Sequence, residues 1–128
     1  MTKIPEELSE KLLFIEKYPD GWNPVLEKAR KTYGSKNQIL VCIEELNELA
    51  CVLAKYPRYE SELEAKEKLR DAVLDEVADV VVILEHVKSI LELSETEVGD
   101  RILKKLIRLD RWLEHSSSMQ ETVEDRKV

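Results

Sequence analysis

Two segments place carboxylates inside the most apolar parts of the chain, VCIEELNELACVL at 41–53 and VLDEVADVVVIL at 73–84. Side chains three and four residues apart share a helix face. In the first segment that spacing puts Val41, Glu45, Glu48 and Val52 on one stripe, with Glu44 beside Glu48. In the second it aligns Ala72, Glu76, Asp79, Ile83 and His86, so that Glu76 and Asp79 are expected in an apolar environment. Ionised carboxylates there are costly without a positive partner, and close pairs repel each other. A Lys or Arg from a neighbouring helix would compensate them, and a solvated edge would remove the need. Two such segments on successive antiparallel helices would instead bring both acidic pairs face to face. Four converging oxygen donors, Glu45, Glu48, Glu76 and Asp79, with no His or Cys among them, suit a hard cation, Mg2+ or Mn2+. A di-iron bundle typically uses two E-x-x-H motifs, and the sequence has none. His86 and His115 read as structural or exposed.

The elements that carry these acids read as helical. Three glycines, four prolines and β-branched residues gathered in one segment favour an all-α fold. Helices are expected over 5–17, from Asn23-Pro24 to Tyr33-Gly34, over 37–55, from a Ser61/Glu64 capping box to Leu91, and from a Ser94/Glu97 capping box to Glu114. On the third, Ile39, Cys42, Leu46, Leu49 and Leu53 form the stripe expected to face the core. The fourth is apolar on more sides than a small bundle covers, which predicts a homodimer or homotetramer. The expectation is an antiparallel bundle of four to five helices with a central acidic pair. Residues 1–114 would form one domain and the polar residues 115–128 a disordered tail.

Bulk properties exclude several functions. The chain has 128 residues, is 37% charged and carries a net charge of −7. It offers no basic patch for a phosphate backbone, so no nucleic acid partner is expected. Small phosphorylated ligands stay compatible, because cations can bridge acids and phosphates. Cys42 and Cys51 point to different sides of one helix, which predicts reduced thiols in a cytoplasmic protein. The longest apolar run, Val80 to Leu84, is too short for a bilayer, and no membrane partner is expected.

The order EELNE at 44–48 followed by EVAD at 76–79 resembles the E-E-x-x-E…E-x-x-D signature of the MazG-like, all-α nucleoside triphosphate pyrophosphohydrolases. YGSKNQILVCIEELNELACVLAKYPR and KLIRLDRWL are similar to the phage and bacterial branch of that superfamily, and the likeness spans about residues 22 to 114. It implies Mg2+-dependent hydrolysis of a (d)NTP to a monophosphate and pyrophosphate, in nucleotide-pool housecleaning. It also implies Glu45, Glu48, Glu76 and Asp79 as metal ligands. Glu44 and Glu45 would be the catalytic acids, Glu44 orienting a water or serving as general base. Lys105, Arg108 and Arg111 form a candidate phosphate-binding row on the last helix, with Lys104 able to replace Lys105 and with Lys55 and Arg58 as further candidates. That row departs from the branch in having Arg108 and no Asn. Tyr33 and Gln38 match the branch's aromatic and amide and are the base-binding candidates, with Trp22 beside them. A non-enzymatic helical module that regulates or senses nucleotides is the alternative.

Overall fold

The computed structural model describes residues 3–59 and 63–116. Among them every regular element is helical: α1 (Glu6–Lys17), α2 (Asn23–Tyr33), α3 (Ser35–Leu53), the single turn α4 (Tyr56–Tyr59), α5 (Leu63–Ile90) and α6 (Glu95–Ser116). The chain divides into two compact units, Met1–Ile90 and Leu91–Val128.

In the first unit the main pairing is α3 against α5, with α2 packed on both and α4 on α5. Gly34 adopts φ +84° and donates its N–H to Arg30 O at 2.8 Å, ending α2 and releasing the chain into α3 one residue later. Asn23 is the first residue of α2 and makes no cap; Trp22 holds the N-cap place, and Pro24 sits in the first turn, where no backbone donor is needed. α3 ends at Leu53, two residues before the expected end, and Pro57 lies in the following turn α4 instead of terminating α3 directly. Ser61 lies outside the described residues.

The buried face of α3 differs from the expected one. Cys42 is buried and Ile39 and Leu49 are half-buried, as expected, but Leu46 and Leu53 stay 43% and 48% exposed. Gln38, Val41, Glu45 and Val52 are half-buried in their place. α3 meets α5 through the stripe that carries Glu45, and the neighbouring leucines are left uncovered. On α5 the buried residues Leu69, Val80, Ile83 and His86 follow a helical repeat, whereas Leu74, Val77, Val81, Val82 and Leu84 are exposed. His86 is 2% exposed, and its Nε2 has no hydrogen-bond partner among the described residues.

The second unit contains α6. Its start is the expected capping box: Ser94 donates its N–H to Glu97 Oε2 at 2.9 Å, and the Glu97 N–H donates to Ser94 Oγ at 3.1 Å. The helix runs to Ser116, past the expected end at Glu114, and residues 117–128 of the expected tail lie outside the described residues.

Candidate metal centre

The α3–α5 pairing is antiparallel. Val52, late in α3, lines a cleft with Leu69 and Ala72, early in α5, while Glu45, one helical stretch earlier, meets Glu76 and Asp79. One carboxylate oxygen from each of Glu45, Glu76 and Asp79 lies within 4.8 Å of the other two. Three oxygens that close fit the first shell of one divalent cation. Glu45 and Glu76 are half-buried; Asp79 is exposed, at the rim of the cluster and not inside an apolar wall as expected. The reason is that the sheltered line of α5 passes through Glu76 and Val80, and Asp79 stands one residue off it.

The electrostatics of the cluster are those of acids without a counter-ion. Glu45 Oε2 and Glu76 Oε2 are buried and have no hydrogen-bond partner among the described residues. Burial first, then the charges of Glu48, Asp79 and Glu76, hold the Glu45 carboxyl above its ordinary value of 4.5. Glu76 is raised from 4.5 in the same way, by burial and then by Glu48, Asp79 and Asp75. Glu48 thus acts on both half-buried acids while itself being exposed on α3. The ion pairs among the described residues join Lys11 to Glu7, Lys31 to Glu27 and Lys88 to Glu85, and none reaches this cluster. Among the described residues, no Lys or Arg pairs with these acids. Two orphaned, sheltered oxygens and an all-carboxylate donor set fit a hard divalent cation.

The other candidates are placed as follows. Glu44 is exposed on α3, outside the three-carboxylate group. Tyr33 ends α2 with 63% of its surface exposed, Gln38 is half-buried in the first turn of α3, and Trp22 is half-buried. Lys55 follows α3 and Arg58 lies in α4, both exposed. Lys104, Lys105, Arg108 and Arg111 are exposed on α6, in the second unit.

Two features escaped the sequence reading. Asp75 adds its charge to Glu76, and a cleft of about 490 Å3 opens where the end of α3 faces the start of α5. Its signal was available: Ala65, Lys68 and Ala72 continue the stripe of Glu76 and Asp79 towards the start of α5. No helix among the described residues is long and apolar enough to cross a membrane. No protein-family model, curated protein or solved structure matches this chain.

Proposed function

We propose that this protein is a MazG-like nucleoside triphosphate pyrophosphohydrolase, cytoplasmic and homo-oligomeric, that converts a (d)NTP to its monophosphate and pyrophosphate. The observation that carries this reading is the group of Glu45, Glu76 and Asp79 oxygens within 4.8 Å, two of the acids having a buried, unpartnered oxygen. Glu45, Glu48, Glu76 and Asp79 would hold Mg2+, with Mn2+ as substitute. A divalent cation bound there supplies neutralisation of the phosphate charge and activation of the attacking water.

The protein side chains do the rest. Glu44, one residue before a ligand and open to solvent, orients that water or accepts its proton. The half-buried Glu45 and Glu76 are held by α3 and α5, so the donors are positioned before substrate arrives. Lys55 supplies donors for phosphate oxygens, and Tyr33 and Gln38 offer a stacking face and an amide for the base.

The test is a product assay with Mg2+ across the eight common NTPs and dNTPs, resolving monophosphate from diphosphate. Monophosphate with pyrophosphate from one or a few substrates, lost in Asp79→Ala, is the expected result. Diphosphate with inorganic phosphate would overturn the assigned bond. Turnover retained in Asp79→Ala would overturn the assigned site.

A further inference from the structure

The cleft between the end of α3 and the start of α5 adjoins the acidic cluster along one seam. Val52 is four residues beyond Glu48 on α3, and Ala72 is four residues before Glu76 on α5, so each lies one turn from a carboxylate and on its face. The cleft of about 490 Å3 is walled by Val52, Leu69, Ala65 and Ala72, with Lys55 and Lys68 also lining it. The two alanines leave the space open, because longer side chains at those positions would fill the seam.

The charges are the informative part. In a chain of net charge −7, two lysines line one cleft against a single carboxylate, Glu64. Neither ammonium makes an ion pair or hydrogen bond among the described residues, whereas Lys11, Lys31 and Lys88 all pair with glutamates on their own helices. Lys68 precedes Glu76 by eight residues, about 12 Å at ~1.5 Å per residue. Side chains on a helix lean together toward its N-terminus, so this offset is kept between the two charged heads, a gap that a polyphosphate held by a cation at Glu76 can span.

We infer that this cleft is the subsite for the distal phosphates of a polyphosphate ligand, with Lys55 and Lys68 as its cationic anchors. The inference rests on the reading of the acidic cluster as a divalent-cation site. It adds a direction: the ligand lies along the α3–α5 seam with its outermost phosphate toward the end of α3 and the start of α5. Lys68 and the cleft, not the metal centre, then bind the pyrophosphate product.

The experiment uses the full chain and two probes. Mn2+ binding is followed by water-proton relaxation, and binding of inorganic pyrophosphate in the presence of Mg2+ by calorimetry. The double variant Lys55→Ala/Lys68→Ala should bind Mn2+ as wild type does but lose at least tenfold in pyrophosphate affinity. Lys68→Arg should recover most of what Lys68→Ala loses. Lys66→Ala, which removes an equal charge from the same helix outside this cleft, should bind pyrophosphate like wild type. Unchanged pyrophosphate affinity in the double variant, or an equal loss in Lys66→Ala, overturns the subsite while leaving the metal centre standing. Absence of Mn2+ binding in wild type overturns the metal centre instead, so the two failures are told apart.

Discussion

Glu97 at the start of α6 and Glu76 in the middle of α5 are the same residue in two helices, and their carboxyls are driven in opposite directions. Glu97 accepts hydrogen bonds from the Ser94 N–H and hydroxyl, which hold it below its ordinary value. Glu76 has a sheltered oxygen with no donor and like charges around it, which hold it above. A carboxylate that is already satisfied is a structural element. One that is sheltered and unsatisfied has oxygens that could take up a cation, and this difference separates the cap of α6 from the candidate centre between α3 and α5.

The largest effect that can break this comparison is on turnover. Asp79→Ala should reduce the proposed hydrolysis by about a thousandfold, the equivalent of several kcal/mol of lost charge stabilisation. Its melting temperature without metal should hold or rise, since one source of repulsion is gone. A variant that loses both activity and fold would mark Asp79 as structural.

Cation binding comes next in size. Mg2+ at ten times its dissociation constant should stabilise the folded chain by about 1.4 kcal/mol, a rise of roughly 3–8 °C in melting temperature. Glu76→Gln should abolish the rise, and Glu97→Gln should leave it intact. An equal rise in both variants would place the cation elsewhere.

The cap is worth somewhat less. Ser94→Ala removes the acceptor for the Glu97 N–H and should cost α6 about 1 kcal/mol, read as helix signal lost on heating. Glu76→Gln should show no such loss of α6.

The subtlest test is pH dependence without metal. Glu45 and Glu76 are raised, so the folded state holds more protons than the unfolded state above the ordinary value of 4.5. The stability they contribute is fully present below 4.5 and is lost as pH rises through their raised folded values. Glu97 is lowered, so its contribution is present above 4.5 and lost as pH falls through its lowered value. Burial, and then the charge of Arg30, lowers His86 from 6.5, so His86 favours the folded state at higher pH and partly masks the Glu45 and Glu76 trend. Comparing wild type with Glu45→Gln/Glu76→Gln at each pH cancels that term. The difference should shrink on acidification from neutral pH towards 4.5; a difference independent of pH would show that these two acids are not destabilised by folding.

Several features were legible because they are local. The Ser94/Glu97 spacing marks a cap since both hydrogen bonds close within one turn. Gly34 marks the break between α2 and α3 because its φ of +84° suits a residue without Cβ. The acidic spacings in 44–48 and 76–79 were legible for the same reason, as helical periodicity alone sets which side chains share a face. The exposure of Leu46 and Leu53 was not, because apolarity names residues that can be buried without naming the partner that buries them. One wall of the cleft, Ala65, Lys68 and Ala72, could be traced along the stripe of Glu76 and Asp79, but its closure against Val52 and Lys55 could not, since the cleft exists only where the end of one helix passes the start of another.

Composition, spacing and caps were enough to establish a helical chain with two acidic faces, because these depend on contacts within about one turn. Only the antiparallel packing of α3 on α5 decided that Glu45, Glu76 and Asp79 meet, and that Leu46 rather than Glu45 is left facing outward. Both depend on the rotation of one helix about its own axis against the other, a quantity set by side-chain packing across the seam and written in neither helix alone.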